Sequence, residues 1–290
     1  MFKRALLSAL SLAVGITLTT GGTATAEQTH TATVFYAATL AGANEVPSAD
    51  PADQAAAVVS VTGTTVCFAE RWSHLTTPTA SHIHAGAVGA AGPVKIPFYA
   101  GQLPASITGL TGCTTSDAAT LDAIAADPAG FYVNIHTPQF PAGAARGQLS
   151  RLTRPVDMLQ FIVGHPTFAA LARGANEVPN PGAPNGLIIG LFDVGASGIG
   201  FALTWQGFAS PFAAHIHSAP AGAAGPVVVP FFATATQAGL PATLTGVAGS
   251  VTADPVLLSQ IRQNPSAYYF NMHTAAFPGG VARGQLVHLF

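Results

Sequence analysis

The stretch Phe-Tyr-Val-Asn-Ile-His-Thr at 131–137 decides the fold class of this 290-residue chain. Phe131, Val133 and Ile135 occupy every second position, a period typical of a strand with one face in a core. We therefore expect residues 131, 133 and 135 to point inward, and Asn134 and His136 to point outward. The stretch returns as Tyr-Tyr-Phe-Asn-Met-His-Thr at 268–274, so this strand is one element of a unit that the chain carries twice.

Six sequence blocks recur in the same order along the two halves of the chain. They begin at Gly42 and Gly174, at Ala80 and Ala213, at Gly92 and Gly225, at Leu103 and Leu240, at Asn134 and Asn271, and at Ala145 and Ala282. Two copies of this size predict two tandem domains, at 31–152 and 158–290, joined by a linker at 153–157.

The composition favours strands over helices in both copies. The chain has 31 Gly and 22 Pro, and both residue types disfavour the interior of a helix. One short helix is expected in each copy, from a Ser116 cap to Ala126 and from Asp254 to Gln263. We predict an all-β chain of two tandem antiparallel β-sandwich or barrel domains, each with one short helix.

The first residues of the chain predict export. Lys3 and Arg4 precede an apolar run at 5–18 and a small-residue site ending at Ala26, which together are typical of a secretory signal peptide at 1–26. No later stretch has the roughly 20 apolar residues of a membrane-spanning helix. We therefore expect a secreted, extracytoplasmic protein with no membrane span in the mature chain. In that oxidising setting Cys67 and Cys113 are expected to form a disulfide.

The charge content excludes one class of partner. Only 8% of the residues are charged, and the formal net charge is −2. The few basic residues are scattered singly, so no patch could neutralise a run of phosphates. We expect no nucleic-acid partner, whereas an extracellular protein or cell-envelope partner stays open.

Six of the ten histidines form a repeated pattern. His82 and His84 flank Ile83 in a strand-like segment, so both rings lie on one face, and His136 joins them if the two strands are neighbours. The second copy has the same pattern in His215, His217 and His273. Three imidazoles without a thiolate suit a transition metal, copper first and zinc second. The same side chains could instead hold crossing loops by hydrogen bonds or contact a protein or glycan.

Two arginines stand out because the chain has so few charges. Glu45 with Arg146, and Glu177 with Arg283, are candidate ion pairs that would lock two chain segments together. The alternative role of each arginine is to overlook the metal site and attract a small anion. No catalytic triad, Cys-His pair, phosphate loop or carboxylate pair recurs in both copies, so we assign no catalytic residues.

The repeated blocks resemble the CHRD domain. The resemblance rests on Gly-Ala-Asn-Glu-Val-Pro at 42–47, His-Ile-His-Ala-Gly at 82–86, Tyr-Val-Asn-Ile-His-Thr at 132–137 and Ala-Arg-Gly-Gln-Leu at 145–149, with their second copies. It implies an extracytoplasmic, β-rich domain, and it implies no particular activity.

A more distant likeness is to copper–zinc superoxide dismutase, which has a His-x-His pair, a later strand histidine and an arginine near its copper. His82, His84, His136 and Arg146 match that layout, as do His215, His217, His273 and Arg283. The bridging histidine and the zinc ligands have no match. The sequence therefore predicts a secreted binding protein with a three-histidine metal site per domain. An adhesion or envelope-interaction module and a dismutase-like redox enzyme are the alternatives.

Overall fold

Both repeats fold into antiparallel strands in the computed structural model, which describes residues 32–208 and 210–290. The first repeat contains β1 (Val34–Ala41), β2 (Gln54–Thr62), β3 (Thr65–Ser73), β4 (Ala80–Ala85), β5 (Val94–Ala100), β6 (Ile107–Thr115), β7 (Phe131–His136), β8 (Ala145–Gln148) and β9 (Ser150–Arg151). The second contains β10 (Phe168–Arg173), β11 (Leu187–Val194), β12 (Gly198–Gln206), β13 (Ala213–Ser218), β14 (Val227–Ala233), β15 (Leu244–Thr252), β16 (Tyr268–Thr274), β17 (Phe277–Gln285) and β18 (Val287–His288). The predicted signal peptide lies outside the described residues.

The two repeats share one strand order. In the first repeat hydrogen-bonded neighbours run β5-β4-β7-β8-β1-β2-β3-β6, and in the second they run β14-β13-β16-β17-β10-β11-β12-β15. β1 pairs with β2 along its length, with β8 at one position and with β9 at two, so it joins β5-β4-β7-β8 to β2-β3-β6 in the first repeat. The predicted all-β sandwich class is confirmed.

The core of each repeat lies between its two sheets. Phe68 of β3 and Phe98 of β5 stack with their ring centroids 4.3 Å apart, and Ile83 of β4 is buried beside them. In the second repeat Phe231 of β14 packs on Phe201 of β12. The inward-facing residues expected from the period-two pattern therefore meet across the sandwich, where burying each large side chain stabilises the fold by about 1.5–3 kcal/mol.

Of the three α-helices within residues 32–208 and 210–290, two lie where the sequence places them. α1 (Ala118–Ala126) begins after Asp117, whose carboxylate accepts the N–H of Thr120, so the cap is one residue later than the expected Ser116. α3 (Pro255–Gln263) begins after an Asp254 cap. Short 3-10 turns occupy Gly42–Asn44, Pro128–Gly130, Gly174–Asn176 and Pro265–Ala267. Within the part of the chain that the structure describes, no helix is long and apolar enough to cross a membrane.

The connection between the repeats contains a helix that the sequence does not predict. α2 (Met158–Ile162) begins after Asp157, whose carboxylate accepts the N–H groups of Leu159 and Gln160. The helix packs on β3 and β6 of the first repeat, and the guanidinium of Arg71 lies 4.9 Å from the ring centre of Phe161. The segment beyond the predicted 153–157 linker is therefore part of the folded structure on the first repeat.

The two repeats are joined through one continuous sheet. β6 pairs with β15, and Leu110 lies opposite Val247, the residue that holds the equivalent place in the second repeat. Two equivalent main-chain hydrogen bonds lie at the ends of this pairing. The N–H of Cys113 donates to the carbonyl of Thr243, and the N–H of Ser250 donates to the carbonyl of Ser106. Each repeat therefore covers the edge strand of the other, and an exposed edge is an aggregation hazard.

The predicted disulfide is present and distinguishes the two repeats. Cys67 of β3 and Cys113 of β6 are direct cross-strand partners and are bonded to each other. Gly200 and Ser250 hold the equivalent paired positions in the second repeat. The first repeat is thus covalently closed beside the joint, whereas the second is not.

Candidate metal centre

The three histidines of each repeat meet at one place on the sheet. β4 and β7 are neighbours, and their register sets Ala80 opposite His136 and His82 opposite Asn134. One ring nitrogen from each of His82, His84 and His136 lies within 4.8 Å of the others. The second repeat brings together His215, His217 and His273 in the same way.

His136 presents its Nε2 to His82. The Nδ1 of His136 is 3.1 Å from the carbonyl of Pro141, and a carbonyl only accepts, so Nδ1 carries the proton. Its Nε2 lone pair then accepts from His82 Nδ1, 3.1 Å away. Two imidazole nitrogens bound tetrahedrally to one metal ion at the usual bond length are about 3.3 Å apart, so this pair has the spacing of two ligands.

His84 leaves one nitrogen free for a ligand bond. Its Nδ1 lies 2.9 Å from the carbonyl of Gly92 and therefore donates to it. Its Nε2 is buried and has no hydrogen-bond partner. A buried acceptor without a partner is costly, and a bound cation would satisfy this one.

The second repeat reproduces each of these contacts. His215 Nδ1 and His273 Nε2 are 3.2 Å apart, and His273 Nδ1 is 3.0 Å from the carbonyl of Pro278. His217 Nδ1 is 2.9 Å from the carbonyl of Gly225, and its Nε2 is again buried without a partner. Two independent copies of the sequence thus retain the same donor set and the same supporting carbonyls.

Burial favours the neutral form of five of the six rings. Burial, followed by the neighbouring histidines, lowers the pKa of His82 and of His215 to about 4. Burial also lowers the pKa values of His136, His217 and His273. Neutral imidazole is the form that binds a metal ion, so no proton needs to be displaced from a charged ring.

A tyrosine and an arginine back each cluster. The rings of His84 and Tyr132 stack at 5.0 Å, and the Arg146 guanidinium lies 4.7 Å from the centre of the Tyr132 ring. The hydroxyl of Tyr132 also accepts the N–H of Gly92, the residue whose carbonyl holds His84. The second repeat has the same stack in His217, Tyr269 and Arg283. These contacts fix the ring plane of one ligand on a rigid strand.

Neither arginine faces the histidines directly. Arg146 on β8 is separated from His84 on β4 by β7 and its Tyr132, and only 2% of Arg146 is exposed. Its Nε donates to the carbonyl of Asn44 and its Nη1 to that of Ala90. The arginine therefore ties two loops to the sheet through their main-chain carbonyls, and its position does not favour the anion-attracting role.

The predicted partners of the arginines lie nearby without a hydrogen-bonded ion pair. In the described structure Arg146 Nη2 and Glu45 Oε1 are both buried without a hydrogen-bond partner. Burial raises the pKa of Glu45 to about 7, and the charge of Arg146 offsets only part of this rise. Burial likewise raises the pKa of Glu177 to about 7, and the charge of Arg283 offsets only part of this rise. The direct Glu–Arg pairs expected from the sequence are thus replaced by bonds from each arginine to main-chain carbonyls.

The supporting residues of the site were not identified from the sequence. Tyr132, Gly92 and Pro141 hold the histidines, and the sequence analysis gave none of them a role in the site. Their recurrence as Tyr269, Gly225 and Pro278 was the signal available, because each returns at the same place relative to a histidine.

The fold and the site define a class of protein: a tandem, disulfide-containing β-sandwich with a half-buried three-histidine cluster on each repeat. The CHRD domain matches residues 36–149 and 168–286. The chain belongs to the CHRD domain family, as the repeated blocks indicated. No curated protein and no solved structure matches it, so the likeness to copper–zinc superoxide dismutase is not shown.

Proposed function

We propose that this chain is an exported metal-binding protein that holds one transition-metal ion in each repeat. The observation that carries the proposal is the buried, unpartnered Nε2 of His84 and of His217. In each case the other ring nitrogen is fixed by a main-chain carbonyl, so the free lone pair is the only remaining hydrogen-bonding group of the ring. Metal-binding histidines characteristically have this outer hydrogen bond.

The chemistry of the donors sets the choice of metal. Each cluster consists of three imidazoles, without a thiolate or carboxylate among its members. Such a set suits copper and zinc and leaves a position for water or another ligand. Copper ranks first because divalent copper binds nitrogen donors more tightly than divalent zinc.

Titration of the full chain with Cu(II), followed by calorimetry, tests the proposal. We expect two ions per chain, one ion after His82→Ala with His84→Ala, and one ion after His215→Ala with His217→Ala. The matched control is His165→Ala with His288→Ala, because both of these histidines are exposed and lie outside the clusters. The proposal is wrong if the cluster variants still bind two ions.

A loop-bracing role is the second candidate, and the Nδ1 bonds to the carbonyls of Gly92 and Pro141 favour it. The two roles predict different effects of metal ions on the melting temperature. If the histidines only brace loops, chelators leave the melting temperature unchanged, whereas His84→Ala lowers it. If they bind metal, the addition of Cu(II) or Zn(II) raises the melting temperature of the wild-type chain.

A further inference from the structure

In each cluster, an asparagine lies opposite the first histidine of the His-Ile-His segment, which is His82 or His215. Asn134 is directly opposite His82 on one side and Arg146 on the other, and Asn271 stands in the same way between His215 and Arg283. Both asparagines are at least nine-tenths buried, and the Oδ1 of each has no hydrogen-bond partner. The cluster bonds described above do not use these oxygens.

The amide of Asn271 is held in one orientation. Its Nδ2 donates to Oε1 of Glu177 at 2.8 Å. Glu177 follows the turn after β10, the strand that pairs with β17, so it approaches Asn271 from the side opposite β13. This bond uses the amide nitrogen and leaves the amide oxygen of Asn271 free, on the residue that lies directly opposite His215.

The carboxylate of Glu177 lies against a glycine. A Cβ added to Gly280 would lie 2.5 Å from Glu177 Oε1, so the glycine leaves the space that this carboxylate occupies. Gly143 stands against Glu45 at the same distance in the first repeat. In both repeats a glycine leaves the space that the carboxylate occupies.

We propose that Asn134 and Asn271 are positioning residues, whose Oδ1 accepts the Nε2–H of His82 and of His215 when a metal ion occupies Nδ1. The inference rests on the proposed metal-binding function. Without metal, His82 Nδ1 donates to His136, so its proton is on Nδ1. With metal on Nδ1, the ring proton moves to Nε2, which becomes a donor. The unpartnered Oδ1 of the asparagine directly opposite on the neighbouring strand is the acceptor that we assign to it.

The test uses a one-site protein, the His82→Ala/His84→Ala chain, in which only the second cluster remains. Asn271→Leu removes the acceptor, and we expect it to weaken Cu(II) binding by about 10- to 100-fold, the usual cost of losing an outer hydrogen bond. Asn271→Asp with Glu177→Gln should restore affinity to within about threefold of the parent, because the glutamine amide donates to one aspartate oxygen and the other accepts from His215. The electron paramagnetic resonance spectrum of the bound Cu(II) should change in Asn271→Leu and return in the double variant.

The outcomes separate this inference from the metal proposal. A one-site parent that binds no Cu(II) overturns the proposed function itself. A parent that binds Cu(II) with the same affinity and spectrum as Asn271→Leu overturns the positioning role, even if the metal-free melting temperature falls. If Asn271→Leu does not fold, Asn134→Leu in the His215→Ala/His217→Ala chain makes the same comparison at the other cluster.

Discussion

Glu70 is a carboxyl group in the core of the first repeat, and the second repeat shows what the core is like without it. Glu70 is fully buried, and it accepts a hydrogen bond from the hydroxyl of Ser81. Its Oε2 and the hydroxyl of Tyr99 are both buried without a hydrogen-bond partner. The equivalent residues of the second repeat are Leu203, Ala214 and Phe232, which are all apolar and buried. Burial raises the pKa of Glu70 to about 8 and that of Tyr99 well above its usual value.

The raised pKa gives a prediction about pH. A carboxyl group with a raised pKa in the folded state is neutral in both states below pH 4.5, and the unfolded state loses its proton first as the pH rises. The contribution of Glu70 to the free energy of unfolding is therefore fully present below pH 4.5, and it decreases as the pH rises from 4.5 to about 8. We expect Glu70→Leu/Ser81→Ala/Tyr99→Phe to be more stable than the wild type by about 1–4 kcal/mol at pH 8 and by less at pH 5.

Urea unfolding at pH 5 and pH 8 measures this effect. The difference between the two proteins cancels the titration of Glu45, Glu177 and the histidines, which both proteins retain. Glu70→Leu alone is the control, because it leaves the hydroxyls of Ser81 and Tyr99 buried and should gain less. An equal difference in stability at the two pH values would show that Glu70 does not titrate in this window.

At the residue scale, the sequence predicted which side chains share a face but not what covers that face. The period of two correctly placed Ile135 in the core and His136 beside His82 on the other side of the sheet. Asn134 was expected outward, yet only 3% of it is exposed. Loops from distant parts of the chain cover this face, and a local period carries no information about them.

At the scale of elements, helix ends that are marked locally could be predicted and contacts between repeats could not. Asp254 followed by Pro255 marks a helix start wherever it occurs, and α3 begins there. α2 has only five residues and no second copy, so neither periodicity nor repetition indicated it. The pairing of β6 with β15 depends on residues far apart in the chain, and both strands read simply as strands.

The joint between β6 and β15 depends on two glycines. A Cβ on Gly249 would lie 1.9 Å from the carbonyl oxygen of Ser106, and one on Gly112 would lie 2.4 Å from that of Thr243. Both contacts are with main chain of the other repeat, which cannot move aside. We expect Gly249→Ala to lower the free energy of unfolding by about 1–3 kcal/mol and to speed amide exchange along both strands.

The control for this variant lies on the next strand. A Cβ on Gly200 of β12 meets its nearest atom, Asp193 Cβ, at 3.7 Å, an ordinary contact. Gly200→Ala should therefore change stability by no more than about 0.5 kcal/mol. Urea unfolding compares the two variants, and similar losses for both would mean that the joint does not require close approach.

At the scale of the whole molecule, the continuous sheet should make the two repeats unfold together. Opening either repeat exposes the paired edge of the other. Metal bound in one repeat should then stabilise both. In the His82→Ala/His84→Ala chain, Zn(II) at 100 times its dissociation constant should add about 2.7 kcal/mol to the free energy of unfolding.

Hydrogen exchange detected by mass spectrometry distinguishes shared from separate unfolding. Amides of β2 and β11 that exchange only through global unfolding should both slow by about 100-fold on adding Zn(II), although the ion binds only in the second repeat. The chain with all four substitutions, His82→Ala/His84→Ala/His215→Ala/His217→Ala, should show no change and controls for adventitious ions. If β11 slows while β2 does not, the repeats unfold independently, and the β6–β15 pairing joins them in space without making one cooperative unit.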